Sequence, residues 1–380
     1  KINKKHNKRF EFVMVLFWFL LLLTVIVFVH ELGHYLVARL NGVRVDVFSI
    51  GFGKELFGYS DKSGTRWKFS LIPLGGYVKF FGDINVASTP DQNLNKNISS
   101  EEFSLAFQNK TLLQKAAIVF AGPMANFLFS IFIFFILFFS MGIPSSTDVL
   151  PVVDKVMSNS AASKYGLLSG DKILKINDIK ITKFEEIRDI VTANPNEKLD
   201  FLVNRKNNFI NIYIIPDPKT VIDNEGNDYI QGVIGVSAKT IVSYSRVGFF
   251  GSINYALETT YRFTALTLIG LKEIIFGERS ASEIGGPIMI ANEASKAADR
   301  GIQDFILIMA LISINLGLIN LFPIPLLDGG HLLFFVIQAI FRRPLKESVV
   351  RYASSIGIVF IICITLLVFY NDIVRYFFKS

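Results

Sequence analysis

Long apolar runs alternate with polar segments along the chain, and four of them have the character of membrane-spanning helices. The first extends roughly from Phe12 to Val29 and continues in helix-compatible residues to about Leu40. The others are predicted at about 112–141, from about 304 to 320, and at about 356–370. A helix needs about 20 apolar residues to cross the hydrocarbon core of a bilayer. The pattern therefore predicts a polytopic α-helical membrane protein with about four transmembrane helices.

Between the first two apolar runs, short segments rich in β-branched and aromatic residues are interrupted by glycines. Segments 43–50 and 67–80 have this pattern, which predicts membrane-associated β-hairpins. A strand edge beside the membrane helices could pair with an extended substrate by strand addition. A surface hairpin without that role is the alternative. The polar stretch 83–104 predicts a loop.

The middle of the chain has the composition of a soluble domain inserted between two membrane halves. Residues 147–216, with a strand-rich extension to about 240, predict an α+β domain with a short amphipathic helix at 184–191. The N-terminal membrane half is then 1–141 and the C-terminal half 247–380. Segment 247–276 carries charged residues among apolar ones, so we expect an amphipathic helix along the membrane surface or against the bundle.

The sequence His30-Glu31-Leu32-Gly33-His34 lies at the inner end of the first apolar run. In a helix, residues four apart project from the same face, so the two imidazoles can bind one zinc ion. Glu31 is then placed to act as the general base on a water molecule. Ionisable groups at membrane depth are costly and indicate function. Two core histidines with local hydrogen bonds are the alternative.

A third metal ligand must come from elsewhere in the chain. The chain has four histidines and a single cysteine, Cys363, which lies in an apolar run. Asp328 is favoured because it follows a helix interrupted by prolines and a carboxylate in apolar surroundings needs a cation or hydrogen-bond donors. His331 is the alternative third ligand. It could instead orient one of the metal ligands without binding the metal itself. Asp328 could also cap the helix predicted to begin near His331.

Four further residues are candidates for substrate binding. Asn320 precedes the break in the third span, and Pro323 and Pro325 would fix the loop that follows. Asn126 lies in the second span within Ala121-Gly-Pro-Met-Ala-Asn126, where small residues permit close helix contact. Its side chain could contact a substrate or join a neighbouring helix or catalytic element, and the sequence leaves both possibilities open.

Composition narrows the classes of function. Of 380 residues, 51% are hydrophobic, which fits a membrane protein in contact with the lipid bilayer. The net charge of +7 comes from scattered basic residues without a basic and aromatic platform, so nucleic-acid binding is not expected. A metal-ion transporter and a non-catalytic membrane adaptor remain as alternatives to an enzyme. A transporter predicts ligands distributed along several spans, and an adaptor would not need Glu31 between two histidines.

Taken together, these motifs resemble the bacterial site-2 protease family, of the regulator of sigma-E protease type. The likeness rests on His-Glu-Leu-Gly-His in the first span, 49–54, 74–79, Ala121-Gly-Pro, and Asn320-Leu-Phe-Pro-Ile-Pro-Leu-Leu-Asp-Gly-Gly-His331. The inserted domain, with Gly-Leu-Leu-Ser-Gly-Asp before a strand, resembles a PDZ domain. Some proteins of that type have two PDZ domains, whereas one such unit is visible in this sequence.

The resemblance implies a zinc-dependent intramembrane endopeptidase in regulated intramembrane proteolysis. Its substrates would be single-span membrane proteins of the anti-sigma factor type already trimmed by another protease, and remnant signal peptides. It implies four spans in the bacterial inner membrane, an active site towards the cytoplasm and a periplasmic PDZ-like domain that filters substrates or binds peptide. The basic N-terminal tail favours a cytoplasmic N-terminus, but the basic residues near the other cytoplasmic ends, such as Arg39 and Arg342, favour the family orientation.

Overall fold

The computed structural model describes residues 2–82, 99–222 and 228–378. Its helices are α1 (Ile2–Leu40), α2 (Ser100–Leu105), α3 (Leu112–Met141), α4 (Ala161–Lys164), α5 (Phe184–Ala193), α6 (Phe249–Ile275), α7 (Pro287–Arg300), α8 (Ile302–Asn320), α9 (Asp328–Phe341) and α10 (Glu347–Ile373). Its strands are β1 (Val45–Ser60), β2 (Arg66–Phe80), β3 (Ile143–Val156), β4 (Lys172–Ile176), β5 (Ile179–Lys180), β6 (Leu199–Arg205), β7 (Asn208–Ile214), β8 (Asp217–Ile222), β9 (Asp228–Val233) and β10 (Val236–Ser245).

Four of the described helices are long and apolar enough to cross a membrane. They are Glu11–Leu40, Leu112–Met141, Ile302–Asn320 and Glu347–Tyr376. The prediction of about four spans in a multi-pass membrane protein is confirmed. The chain divides into two compact units, one of Lys1–Ser140 with Val247–Ser380 and one of Met141–Arg246.

Close approach of α1 to α3 defines the centre of the first unit. A Cβ atom on Gly33 would lie 2.3 Å from the Ala121 carbonyl oxygen and 2.7 Å from Ala125 Cβ. Since lipid is as apolar as the side chains, helices in a membrane associate through such tight packing more than through the hydrophobic effect. Leu22 and Ile26 of α1 are fully buried in the same cluster as residues of α3, α7 and α8. The small residues therefore set how closely the two helices approach.

The last helix is fixed to the start of α7 by a buried carboxylate. Asp372, near the end of α10, accepts hydrogen bonds from the backbone N–H groups of Gly286 at 3.0 Å, Ile288 at 2.8 Å and Met289 at 3.2 Å. The first N–H groups of a helix have no partner within the helix, and a carboxylate there also complements the helix dipole. Segment 249–275 forms α6, which packs against the bundle through Ala256, in agreement with one of the two predicted placements.

Strands β1 and β2 form a bent antiparallel hairpin beside the membrane helices. Residues 45–50 of β1 lie between the two ends of β2, paired with 66–69 on one side and 76–80 on the other. Phe48 at its centre is buried and stacks on Trp67, with ring centroids 4.3 Å apart. The hairpin prediction for 43–50 and 67–80 agrees with these strands.

The turn between β1 and β2 is held together by Asp61. Trp67 Nε1 and the Tyr35 hydroxyl donate to Asp61 Oδ2 at 2.9 and 3.4 Å, and the backbone N–H groups of Ser63 and Thr65 donate to Oδ1. These hydrogen bonds, that of Trp67 above all, hold the pKa of Asp61 below its ordinary value. Because Tyr35 follows His34, this turn ties the hairpin to the helix that carries the two histidines.

Asp61→Asn should lower the thermal midpoint at pH 7 and have a smaller effect at pH 3. A carboxyl group whose pKa is lower in the folded than in the unfolded protein stabilises the folded state. This stabilisation is complete at a pH above the pKa of the unfolded state, about 3.9, and is lost as the pH falls through the pKa of the folded state. Melting curves of both proteins at the two pH values measure the difference. Asp178→Asn, at an exposed turn of the second unit, is the control. An effect that stays equal at both pH values would contradict the assignment.

The second unit, Met141–Arg246, contains a six-stranded antiparallel sheet in the order β10-β3-β4-β6-β7, with β5 paired to β4. Its core includes Ile173, Phe201 and Ile214, which are fully buried. It is wider than the predicted 147–216 and its extension to about 240, because β3 and β10 pair along their length from Ile143 to Ser245. Strands β8 and β9 form a separate hairpin.

Two element boundaries differ from the sequence-based expectation. Of the loop predicted at 83–104, residues 83–98 lie outside the described part. For 99–104 the prediction is wrong, because Ser100–Leu105 is a helix. Ser99 and Glu102 form a capping box that stabilises its first turn. The helix predicted from Leu332, or near His331, begins earlier, at Asp328.

Candidate metal centre

Helix α1 presents two histidines side by side in the buried interior of the first unit. His30 and His34 are four residues apart, and their Nε2 atoms are 3.2 Å from each other. Each side chain is about nine-tenths buried. The helical spacing accounts for this arrangement, since one turn separates positions i and i+4 on the same face.

Asp328 reaches the same point from α9. Its Oδ2 atom is 3.2 Å from His30 Nε2 and 3.5 Å from His34 Nε2. Among the described residues, these three side chains form the one group of His, Cys, Asp or Glu whose ligand atoms lie close enough to hold a metal ion. Asp328 is the first residue of α9, and no side chain caps this helix, so the alternative of a capping aspartate is not observed.

The three atoms fit one face of a zinc coordination tetrahedron. Tetrahedral bonds of about 2.0–2.1 Å place neighbouring ligand atoms about 3.3–3.4 Å apart. The observed separations are 3.2, 3.2 and 3.5 Å. Asp328 Oδ2 is also buried, and within the described chain it has no hydrogen-bond donor. A buried carboxylate oxygen without a donor is costly, and a bound cation would satisfy it.

The other imidazole nitrogens have partners on α3. His34 Nδ1 lies 2.9 Å from the carbonyl oxygen of Ile118, to which it donates when Nε2 is free to bind a metal. His30 Nδ1 lies 3.3 Å from the side-chain amide of Asn126. Ile118 was not predicted from the sequence, because a backbone carbonyl has no sequence signal.

The His34 ring occupies space that only a glycine on α3 leaves free. A Cβ atom on Gly122 would lie 2.2 Å from His34 Nε2. The sequence marked this segment for close helix packing but not for its contact with a metal ligand. Gly122 precedes Pro123 inside α3 and is buried.

Gly122→Ala should displace His34 and weaken zinc binding, since a contact at that distance cannot be accommodated without moving the ring. Disturbing the groups around a metal ligand weakens metal binding about 10–100-fold. We expect a loss in zinc affinity at least as large here. Competition with a chromogenic chelator measures it. Gly270→Ala on α6 is the matched control, because its Cβ would meet only the end of the Arg279 side chain at 3.4 Å. Equal affinity in both variants would contradict this role of Gly122.

Glu31 is buried between α1 and strand β2. A Cβ atom on Gly76 would lie 3.0 Å from Glu31 Cγ, so this glycine lets the strand pass directly beside the carboxylate. The Val78 backbone amide hydrogen-bonds to Glu31, and the carboxylate is within electrostatic reach of all three candidate ligands. The contact with Gly76 was not foreseen from the sequence.

The remaining predicted residues lie around the loop between α8 and α9. Asn320 is the last residue of α8 and is half-buried, and Pro323 is exposed. Pro325 packs on α10, where a Cβ on Gly357 would lie 2.3 Å from its carbonyl oxygen. His331, the alternative third ligand, is outside the group of three and its ring lies edge-on to Phe334. His331 lies within electrostatic reach of Asp328 and His34 without being one of the three candidate ligands.

Two glycines allow the loop to fold back over the start of α9. A Cβ on Gly329 would lie 2.2 Å from the Leu321 carbonyl oxygen, and one on Gly330 would lie 2.4 Å from that of Ile324. Leu326 has a φ of 89°, which a leucine rarely adopts. The close packing of this turn positions Asp328 against α1.

Comparison with known proteins identifies the family. The model of peptidase family M50 matches residues 18–364. The chain belongs to this family. It is 40% identical over 358 residues to a candidate zinc metalloprotease of Rhizobium meliloti, covering 93% of this chain and 95% of that protein. A candidate zinc metalloprotease of Campylobacter jejuni is 36% identical, with 93% and 92% covered.

A third relative is the regulator of sigma-E protease RseP of Salmonella typhimurium. It is 31% identical, with 94% of this chain and 98% of that protein covered. The alignment extends over 454 residues, more than the 380 of this chain, so that relative contains residues without a counterpart here. Together with the apolar helices, these findings make this M50 peptidase a zinc-dependent protease of the membrane.

Proposed function

We propose that the protein cleaves single-span membrane proteins within their transmembrane segments, and that His30, His34 and Asp328 hold its zinc ion. The observation that carries the proposal is the triangle of ligand atoms at the junction of a spanning helix and the apolar helix α9. Zinc bound there supplies a Lewis acid that polarises the scissile carbonyl and acidifies water. Its depth in an apolar helix bundle fits a substrate that is itself in the membrane.

Glu31 is the proposed general base. Its carboxylate takes a proton from the attacking water and passes it to the nitrogen of the leaving amine. Burial excludes bulk water from this carboxylate, and Gly76 and Val78 on β2 fix its position. Proton transfer of this kind contributes about 10²–10⁴ to a rate.

Strand β2 is the proposed platform for the substrate. Within the described residues, its segment 76–80 pairs with β1 on one side only, and this segment adjoins Glu31. A peptide added as a further strand would place its backbone beside the base. Leu56, Phe57 and Leu71 of the hairpin are more than half exposed, which supports contact with lipid. A helical transmembrane segment must unwind to bind in this manner.

Asn320, at the end of α8, and Pro323 and Pro325, in the loop that follows, are proposed substrate contacts. Asn126 is fully buried and contacts His30, which favours its role within the protein over a substrate contact.

The inserted unit is proposed to be a PDZ-like domain in the periplasm, with the active site towards the cytoplasm of the inner-membrane protein. Its strands and short helix α5 support the likeness. On this proposal it either admits only substrates with a shortened periplasmic part, as for an anti-sigma factor trimmed by another protease or a remnant signal peptide, or binds their peptide ends. Reporter fusions at Lys5 and Lys346 test the orientation, and a cytoplasmic N-terminus would contradict it.

Co-expression with matched substrates tests the function. A single-span protein with its periplasmic part removed should be cleaved, and the full-length form should be left intact. Glu31→Gln should cleave neither, and cleavage of both forms by the unaltered protein would contradict the size filter. The transporter alternative requires ligands along several spans, whereas the described ligands meet at one point; the adaptor alternative leaves the placement of Glu31 without a purpose.

A further inference from the structure

The side chain of Asn126 is buried and contacts a candidate metal ligand. It lies on α3 with 0% of its surface exposed. Its side-chain amide is 3.3 Å from His30 Nδ1. Among the described residues, its Oδ1 atom has no hydrogen-bond partner. A buried acceptor without a donor costs about 1–3 kcal/mol, so such an atom calls for an explanation.

The orientation of the His30 ring determines which of its nitrogens carries the proton. His30 Nε2 faces both His34 Nε2 and Asp328 Oδ2, at 3.2 Å from each. To bind a metal, Nε2 must be unprotonated, and a neutral imidazole then carries its proton on Nδ1. An N–H group at Nδ1 needs an acceptor within reach. The amide of Asn126 is placed there.

The amide can meet this N–H group only through its oxygen. The oxygen and nitrogen of a side-chain amide are nearly the same size, so hydrogen-bond partners decide which of them faces a neighbour. With Nδ2 towards His30, two N–H donors would face each other. With Oδ1 towards His30, the ring N–H has an acceptor and the buried oxygen gains the donor that it otherwise lacks.

The backbone of Asn126 is held in place from two sides. The hydroxyl groups of Ser130 and Ser313 both donate to its carbonyl oxygen, at 2.9 and 3.1 Å. Gly317 of α8 lies against Asn126 Cβ, where an added Cβ would come within 3.2 Å. An acceptor fixed in this way orients an imidazole better than one on a mobile side chain.

We propose that Asn126 is a positioning residue of the metal centre: its Oδ1 accepts a hydrogen bond from His30 Nδ1–H and holds the ring in the tautomer whose Nε2 can bind zinc. This inference rests on the proposed ligand set. Helix α3 thereby supports both histidines of α1, through the Ile118 carbonyl oxygen for His34 and the Asn126 side chain for His30.

Zinc affinity of the purified protein tests the inference. Chelator competition measures it for the unaltered protein and for Asn126→Ala, Asn126→Asp, Thr260→Ala and His30→Ala. Loss of such a partner weakens metal binding about 10–100-fold, which we expect for Asn126→Ala. Asn126→Asp should restore most of it, because both variants lack Nδ2 but only aspartate keeps an oxygen acceptor. Thr260→Ala on α6 removes a buried hydroxyl that donates to the carbonyl oxygen of Ala256, away from the candidate ligands, and should bind zinc as the unaltered protein does.

The outcomes separate the inference from the ligand set on which it rests. If His30→Ala loses zinc while Asn126→Ala binds it normally, or if alanine and aspartate at 126 behave alike, the inference is wrong and the ligand set stands. If His30→Ala keeps zinc, the ligand set itself fails. Absorption spectra of the cobalt-substituted proteins should change in Asn126→Ala and not in Thr260→Ala.

A measurement on the unaltered protein covers the case in which Asn126→Ala does not fold. Nitrogen-15 spectra of the zinc-bound protein labelled at its four histidines report the protonated nitrogen of each ring. We expect His30 to be protonated at Nδ1 and to show a hydrogen-bonded N–H. Protonation at Nε2, or an Nδ1–H without a hydrogen bond, would overturn the assignment.

Discussion

Glu31→Gln should lower the rate of cleavage by at least about 10²–10⁴-fold while zinc content and thermal stability stay near those of the unaltered protein. Glutamine has nearly the same shape as glutamate and can still accept from the Val78 backbone amide, but it cannot take a proton from water. Cleavage of a reconstituted single-span substrate measures the rate, and elemental analysis measures the zinc.

The control for this variant lies on the same helix. Glu11→Gln removes one carboxylate from an exposed position of α1, near the opposite end from the metal centre, and should cleave at the normal rate. If Glu31→Gln cleaved as fast as Glu11→Gln, another group would have to be the base. If it also lost zinc, its effect could not be assigned to proton transfer.

The Asp328→Asn variant should lose its zinc on dialysis against a mild chelator and should not cleave substrate. Its Oδ2 atom is one corner of the ligand triangle, and a neutral amide is a far poorer zinc ligand than a carboxylate. The loss in affinity should exceed the roughly 10–100-fold that is typical of losing only a partner of a ligand. Zinc affinity and cleavage are measured on the same preparations.

His331→Asn discriminates between the two candidates for third ligand. His331 is three residues from Asp328 on the same helix but outside the ligand group, so this variant should keep zinc. Loss of zinc in His331→Asn with retention in Asp328→Asn would reverse the assignment.

Local patterns in the sequence predicted the spans and the pairing of two of the three candidate metal ligands. Apolar length located the spanning helices, and the four-residue spacing alone placed His30 and His34 on one face, as the structure has them. Asp328 was predicted as the third ligand on chemical grounds alone, because nothing local in the sequence gives its distance from histidines almost three hundred residues earlier. It depends on how α9 packs on α1.

Contacts between helices were beyond the reach of the sequence. The space that Gly122 leaves for His34, and the approach of Gly76 to Glu31, exist only once α1, α3 and β2 are packed together. The partner of Asn126 was unknown for the same reason, although a polar residue in a spanning helix indicated that it had one. The start of α9 at Asp328 was missed because two glycines usually end helices, whereas here they permit close packing of the loop on its first turn.

The position of the cut in a substrate tests the central claim most directly. A single-span protein reconstituted with the enzyme in lipid vesicles is incubated, and mass spectrometry identifies the new peptide ends. We expect a cut within the apolar segment that stops when a chelator removes zinc and resumes when zinc is restored. Cuts confined to the soluble flanks, or cleavage that the chelator leaves unchanged, would contradict a zinc protease acting inside the membrane.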